Sequence, residues 1–191
     1  MISEILRLLV ETITGFFCIA LLARFVLQAA RAPFRNPLGQ FIIAVTDWMV
    51  RPARRFIPSA FGYDSSSLVL AWLWQFFGLG VVLALAGTHI AVSPASTLGL
   101  VLLALLETVK TGMYLVMGVV LISAVFSWVN PYAPMADIFS SLSRPWLRPF
   151  RRLIPPIGGV DLTPLALLLA VQIVLIVLGG LRGGLLGLLY S

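Results

Sequence analysis

Four long apolar stretches divide the chain, and polar or basic segments separate them. A helix that crosses a bilayer needs about 20 predominantly apolar residues, and each stretch meets that length. The pattern therefore predicts an all-α membrane protein with four transmembrane helices. The predicted spans run from about residue 5 to 27, 68 to 91, 100 to 129 and 165 to 186.

The composition supports this class. Of the 191 residues, 60% are hydrophobic and only 10% are charged. A soluble domain carries about 25% charged residues, so this chain has too few charges to cover a water-facing surface. A multi-pass membrane protein is expected.

Most of the 13 basic residues lie in two segments, 31–66 and 130–163, each between two predicted spans. The positive-inside rule places both basic loops in the cytoplasm and both termini outside, which predicts the inner (plasma) membrane as the location. Basic loops beside membrane helices attract anionic lipid headgroups, so we expect lipid rather than nucleic acid as partner. Arg24, near the inner end of the first span, is expected to snorkel to the cytoplasmic surface.

The two halves of the chain resemble each other, which predicts a tandem duplication with repeats at 1–95 and 96–191. Each repeat is a helix, a basic loop and a second helix. Because each repeat holds two spans, both copies enter the membrane the same way round, as parallel helical hairpins. The pairs matched 97 positions apart are Arg51 and Arg148, Pro52 and Pro149, Arg54 and Arg151, Arg55 and Arg152, Pro58 and Pro155, Gly62 and Gly159, Asp64 and Asp161, and Gln75 and Gln172; with three extra residues in the second copy, Asn36-Pro37 also matches Asn130-Pro131.

A short amphipathic helix is predicted over residues 36–50, at the start of the first basic loop. Asn36 can cap its N-terminus and Pro37 suits the first helical position. The segment is too short to span, so it should lie at the membrane interface or dip back into the protein. Residues 134–150, with Trp146, are expected to do the same in the second repeat. The apolar positions of the predicted helix over residues 36–50 are Phe41, Ile42, Val45, Trp48 and Met49.

The arginine-proline motif that follows is expected to stop these helices, because proline removes a backbone donor and disfavours helix continuation. Gly62 and Gly159 then allow a sharp turn. Asp64 and Asp161 are expected to cap the next span, with Pro164 just inside the second of these helices.

Two interpretations of the motif arginines stay open. In the first, the arginines only set the membrane topology and bind lipid phosphates. In the second, the carboxylates of Asp64 and Asp161 pair with the arginines and hold the loop in a folded element. In either case these arginines are the candidate lipid- or partner-binding residues. The candidates are Arg51, Arg54, Arg55, Arg148, Arg151 and Arg152.

The order Asn-Pro, R-P-x-R-R-x-I-P, then G-x-D-x-[ST]-P before an apolar helix resembles the YggT family, which includes plastid YlmG-type proteins. The second copy, "RPWLRPFRRLIPPIGGVDLTP", is the closer match; the first, "SAFGYDSSS", lacks the second proline, the glycine pair equivalent to Gly158-Gly159 and the Ser/Thr-Pro. The resemblance implies a role in osmotic or salt tolerance and ion uptake, or in cell division and membrane or nucleoid organisation. Its plastid branch implies cytochrome b6 maturation and thylakoid organisation.

Four polar residues fall inside or near the predicted spans, where polar groups are costly and often functional. Gln75 and Gln172 could face each other across the repeat axis and hydrogen-bond, which would hold the helices together by roughly 1 kcal/mol. A permeation site is the alternative. Glu11 and Glu107 could form an acidic ring for cations, or sit in the headgroup zone with Lys110 paired to Glu107.

No motif typical of an enzyme is found: the chain has no P-loop, no HExxH and no nucleophile elbow with a histidine partner. The leading hypothesis is a non-enzymatic membrane scaffold or assembly factor with no cofactor, whose arginine loops dock anionic lipid or a membrane-protein partner. The alternatives are a channel or transporter component in ion homeostasis and, less strongly, a cytochrome maturation factor. A pore would require a homo-oligomer, because four spans enclose little interior.

Overall fold

The computed structural model describes residues 1–30, 32, 34–57, 64–87, 93–130, 132–154 and 161–189. Within these residues the chain forms six α-helices and no β-strand, so the predicted all-α class is confirmed. Four of the helices (α1, α3, α4 and α6) are long and apolar enough to cross a membrane. The helices are α1 (Ile2–Ala29), α2 (Pro37–Ala53), α3 (Ser65–Leu85), α4 (Pro94–Val129), α5 (Ala136–Leu153) and α6 (Thr163–Leu189).

The connection between α3 and α4 lies earlier in the chain than the apolar pattern predicts. Helix α3 ends at Leu85, earlier than expected, where Gly87 takes a positive φ of 68° that suits a left-handed helix end. Helix α4 begins earlier than expected, at Pro94, because Ser93 and Ser96 form a reciprocal capping box in which each side chain accepts from the other's backbone N–H at 3.1 Å. The hydropathy pattern missed both signals.

The N-terminus of α2 is as predicted. The Asn36 side chain accepts a hydrogen bond from the backbone N–H of Gly39 at 2.7 Å, and Pro37 takes the first helical position. The predicted apolar face is divided, however. Phe41 and Trp48 are more than half exposed and contact Phe16 and Phe17 of α1 only at their ring edges, whereas a neighbouring stripe packs inward. The inward stripe is Gly39, Ile42, Thr46, Met49 and Val50.

Both short helices end within the arginine-proline motif, as predicted, but the first proline of the motif does not stop them. Pro52 lies inside α2, and Pro145 and Pro149 lie inside α5, which continues to Leu153. A proline inside a helix loses one backbone hydrogen bond and costs about 3 kcal/mol. In α5, tertiary packing of the apolar face offsets that cost, since Ile138, Leu142 and Leu147 among others are buried there.

The long helices pair within each half of the chain, α1 with α3 and α4 with α6, and α3 packs on α4 between the halves. Three apolar clusters hold this arrangement. One lies in the first half (α1, α2, α3), one in the second (α4, α5, α6), and one joins them through α1, α2, α4 and α5. The joining cluster contains Leu27, Ala32, Ile42, Val119, Ile138 and Leu142.

Candidate functional site

The short helices α2 and α5 lie at the same end of the bundle, because Ile42 and Ile138 pack in one cluster. We call this the basic end, since both arginine motifs lie there. The motif in the first half surrounds a buried charge. Arg24 of α1 is only 5% exposed, and its guanidinium donates to Thr46 Oγ1 at 2.8 Å and to Asp47 Oδ1 at 3.0 Å.

The expectation that Arg24 snorkels to the surface is therefore wrong. The stem of an arginine usually carries its head to water because a buried cation is costly. Here two carboxylates inside the protein offset the cost of burying the guanidinium. One is Asp47, and the other is Asp64, whose Oδ2 lies 3.8 Å from Arg24 Nε. Arg51 binds the other oxygen of Asp47 at 2.6 Å and connects this buried group to the surface.

Asp64 completes the network from the start of α3. Its Oδ2 accepts from Arg54 at 2.6 Å and from the Ser67 hydroxyl at 2.9 Å, while its side chain is only 3% exposed. It occupies the N-cap position, but its side chain does not cap a backbone N–H as predicted, because the arginines and Ser67 engage it. Burial by itself would raise the pKa of Asp64, but the hydrogen bonds from Arg54 and Ser67, together with the charges of Arg54 and Arg24, hold that pKa below its ordinary value of 3.8.

In the second half, the corresponding pair is open to solvent. Arg151 approaches Asp161 Oδ2 at 3.1 Å, and the two side chains are 52% and 37% exposed. Asp161 also accepts from the backbone N–H of Thr163, the first residue of α6, at 2.9 Å, and Pro164 follows inside the helix. Burial would raise the pKa of Asp161, but the bonds from Thr163 and the charge of Arg151 lower it overall.

Both halves thus form the arginine–carboxylate pair that the second interpretation of the motif required. They differ in what lies beside it. The second half has a cavity of about 180 Å³ next to Arg151, between α4 and α5. Its polar lining residues are Ser123, Ser127, Asp137, Ser140, Ser143, Arg144 and Arg151.

A third set of arginines at the basic end has no ion-pair or hydrogen-bond partner within the described ranges. Large apolar side chains beside them are also exposed: Trp48 and Phe56 near the end of α2, and Trp146 and Leu153 on α5. Cationic and aromatic side chains together are typical of a membrane interface. The described arginines without a partner are Arg35, Arg55, Arg144, Arg148 and Arg152.

The opposite end of the bundle holds a larger polar cavity, of about 570 Å³, between the four long helices. Gln75 lines it with a buried Oε1 that has no hydrogen-bond partner among the described residues, whereas Gln172 is exposed and lies outside the cavity lining. The hypothesis that the two glutamines face each other is therefore not supported by their positions. The helix α6 turns Gln172 outward because Val171 and Leu175 take the packed face.

Glu11 and Glu107 line the same cavity, but neither is an unneutralised acid. Arg7 binds Glu11 at 2.8 Å. Lys110 and Arg182 bind Glu107 at 3.2 and 3.1 Å, which includes the Lys110 pair expected from the sequence. The arrangement offers both signs of charge to the cavity rather than an acidic ring.

Several predicted motif residues lie outside the described residues, namely Pro58, Gly62, Pro131, Pro155, Gly158 and Gly159. Asn130 ends α4 rather than starting a helix, and the helix that follows begins at Ala136. Sequence reasoning also missed partners that the structure brings together. The signals were present: Arg24 is a charge within an apolar span, and Asp47 lies four residues before Arg51 on an amphipathic helix.

The described ranges hold no group of three or more metal-binding side chains of the histidine, cysteine, aspartate or glutamate type. The site that remains is a set of cationic and aromatic side chains at one end of an apolar bundle. These features define a multi-pass α-helical membrane protein composed of two related hairpins.

The chain belongs to the CCB3/YggT family, whose model matches it twice, at residues 3–85 and 102–182. An uncharacterized protein encoded in the proC 3′ region of Vibrio alginolyticus is 34% identical over 176 residues, covering 92% of this chain and 94% of the relative. The uncharacterized protein YggT of Escherichia coli K12 is 33% identical over 170 residues, covering 88% and 86%. An uncharacterized protein of Pseudomonas aeruginosa is 34% identical over 168 residues, covering 87% and 84%. No solved structure matches the chain.

Proposed function

We propose that this protein is a non-enzymatic scaffold or assembly factor of the bacterial inner membrane. In this proposal the basic end faces the cytoplasm, and α2 and α5 dock anionic lipid headgroups or a membrane-protein partner. Clusters of arginine on the cytoplasmic side attract anionic lipids. Each arginine near the membrane surface contributes about 1 kcal/mol to that attraction.

The observation that carries the proposal is a set of arginines at the basic end that have no partner among the residues the structure describes, namely Arg35, Arg55, Arg144, Arg148 and Arg152. They stand beside exposed Trp48 and Trp146, whose rings suit headgroup depth. Charged side chains that serve only the fold find a partner inside the protein, as Arg24 does. Guanidiniums displayed without one are available to phosphate or carboxylate groups from outside.

The paired arginines support the same proposal, because they make the display rigid. Arg54 binds Asp64, and Arg151 binds Asp161, so the end of each short helix is tied to the start of the next long helix. A rigid surface loses less conformational entropy on binding than a flexible one. The arrangement suits a docking platform.

Photo-crosslinking in native membranes tests this proposal. A photoreactive residue at Arg55 or at Arg152 should form adducts with anionic phospholipid or with one membrane protein. The control position is Leu8, which is exposed in α1 toward the opposite end. If Leu8 gives the same adducts in the same yield, the basic end is not a docking surface and the proposal is wrong.

A second candidate, a component of a channel or transporter, is supported by the polar cavity of about 570 Å³. The Gln75 Oε1 acceptor has no partner in the part of the chain that the structure describes, and such an atom is costly in a dry site, so it calls for water or a solute donor. Intramembrane polar residues that line a cavity commonly mark a pathway.

Flux measurements in proteoliposomes separate the two candidates. The scaffold proposal predicts no cation flux above that of protein-free vesicles. Flux that falls in Gln75→Leu, but not in the control Glu4→Gln at the exposed N-terminus, would favour the second candidate and contradict the first.

A further inference from the structure

The cavity beside Arg151 has a counterpart in the first half of the molecule, and the counterpart is filled. The repeat offset of 97 that relates the arginine motifs also relates the residues around the two places. The related pairs are Thr46 and Ser143, Asp47 and Arg144, and Arg54 and Arg151.

In the first half, the Arg24 guanidinium occupies this place. It lies among Thr46, Asp47 and Asp64, so two carboxylates and a hydroxyl enclose a cation that the chain itself supplies. Nothing further can enter, because Arg24 is 5% exposed and its neighbours are buried or engaged.

In the second half, no described side chain fills the corresponding place, and an arginine stands where the first half has a carboxylate. Helix α4 carries no charged residue after Lys110, so no side chain equivalent to Arg24 reaches in. Ser123 and Ser143 instead form a hydroxyl pair at 3.0 Å beside the cavity. Arg144 stands where the first half has Asp47.

The lining favours an anion. Two guanidiniums, Arg144 and Arg151, face one carboxylate, Asp137, so the net charge of the lining side chains is positive. Arg144 and the Ser127 hydroxyl have no partner within the part of the chain that the structure describes, and Asp161 engages Arg151 from one side. A volume of about 180 Å³ exceeds the roughly 30 Å³ that one water occupies in the liquid, so a tetrahedral oxyanion has room.

We propose that this cavity is a binding site for a single phosphate group, held by Arg144 and Arg151 with hydroxyl donation from Ser127. Planar guanidinium forks match phosphate oxygens in geometry as well as in charge. The inference rests on the proposed function, because it assigns the anion affinity of the basic end to one defined place instead of a diffuse surface.

The phosphate can belong to a lipid headgroup or be free in solution. Neighbouring residues of the same helices, Ile122 and Phe139, line an apolar groove of about 400 Å³ between α1, α2, α4 and α5. An acyl chain therefore finds apolar surface one residue away from Ser123 and Ser140 on both helices. The experiment treats the two sources as separate arms.

The test uses the full chain in nanodiscs of phosphatidylcholine. One arm adds phosphatidylglycerol at low mole fraction and counts retained lipids by native mass spectrometry. The other arm titrates inorganic phosphate and follows the unfolding temperature. Two variants are compared with the wild type. Arg144→Gln removes one guanidinium from the cavity, and Ser127→Leu narrows the cavity without removing a charge. The matched comparison is Arg148→Gln, which removes another exposed charge one turn along α5, outside the cavity lining.

Wild-type protein should retain one phosphatidylglycerol per chain, or show a saturable shift with phosphate, and the responding arm identifies the source. Affinity should fall about tenfold or more in Arg144→Gln, since a charge-assisted hydrogen bond is lost, and clearly in Ser127→Leu. Arg148→Gln should show only the small loss expected from the surface charge.

Equal losses in Arg144→Gln and Arg148→Gln, or no effect of Ser127→Leu, would overturn the phosphate site. Those outcomes leave the docking surface itself standing, because its crosslinking test uses Arg55 and Arg152. Absence of any response of the wild type in both arms would also overturn the site, whatever the crosslinking result.

Discussion

Asp64 and Asp161 hold matching places in the two repeats, each after an arginine motif and each just before a long helix, yet their surroundings differ. Asp64 is almost fully buried and lies near Arg24 and Arg54, with a hydrogen bond from Ser67. Asp161 is 37% exposed, binds Arg151 at the surface and accepts a hydrogen bond from the backbone N–H of Thr163 at the start of α6. The same motif is therefore part of a closed core in one repeat and of an open surface in the other.

The difference shows that a repeated motif does not specify its own burial. Whether the carboxylate is enclosed depends on a residue far away in the chain, Arg24, which the second repeat lacks. Burying a cation between two carboxylates fixes the first repeat in one arrangement. The second repeat keeps an open polar cavity beside its arginine motif.

Removing the buried carboxylate should have the largest effect on the free energy of unfolding, and so it is the strongest test of the difference between the two repeats. Asp64→Asn should lower the free energy of unfolding by about 3–5 kcal/mol, because it leaves the Arg24 and Arg54 side of the network undercompensated. Asp161→Asn should cost about 1 kcal/mol or less, since an exposed pair contributes little and asparagine can still accept from Thr163. Denaturant unfolding of the purified protein in detergent, followed by circular dichroism, measures both. Equal losses would show that the two sites are alike.

A middle-sized effect tests how closely the helices of the first repeat approach. A side-chain carbon added at Gly78 would meet Thr14 of α1 at 2.5 Å, whereas Gly80 has open space around it. Gly78→Ala should therefore destabilise the protein by about 1–3 kcal/mol through overpacking. At the corresponding place in the second repeat, Leu175 is buried in the core instead.

Gly80→Ala is the control for that substitution, because it makes the same chemical change in the same helix. It should be neutral or slightly stabilising, since alanine loses less backbone entropy than glycine in a helix. Thermal unfolding of the two variants side by side gives the result. A loss in Gly80→Ala as large as that in Gly78→Ala would contradict a close α1–α3 contact.

The smallest effect is the dependence of stability on pH. The pKa values of Asp64 and Asp161 are both lowered in the folded protein. A carboxylate with a lowered pKa stabilises the fold above its unfolded-state pKa of about 4, and this contribution is lost as the pH falls through the folded-state pKa. The unfolding temperature should therefore be flat near neutral pH and fall in acid.

Replacing each aspartate in turn shows how much of the loss of stability in acid comes from each repeat. Asp64→Asn and Asp161→Asn should each make the unfolding temperature less dependent on pH below about 4. The opposite trend, a steeper fall in either variant, would mean that the carboxylate is not stabilised in its charged form. Scanning calorimetry in detergent at several pH values resolves the slopes.

Much of the fold could be predicted from local pattern. The four apolar helices follow from runs of apolar residues, and the start of α2 follows from Asn36 and Pro37, because both signals act within a few residues. The helix ends at Leu85 and Pro94 were missed only because turn and capping signals were overlooked. The arginine–carboxylate pairs were foreseen as one of two alternatives, since each spans only ten residues.

The sequence by itself determined the membrane class, the duplicated arrangement of arginine motifs and the family resemblance, since these depend on composition and local spacing. The tertiary structure alone decided that Pro52 and Pro149 lie inside helices, that Arg24 is buried, that Gln172 faces outward and that a polar cavity opens beside Arg144. Each of these depends on which side chains from distant helices arrive at one place. The free energy of burying a charge or tolerating a proline is set by those neighbours, and residue spacing along the chain carries no record of them.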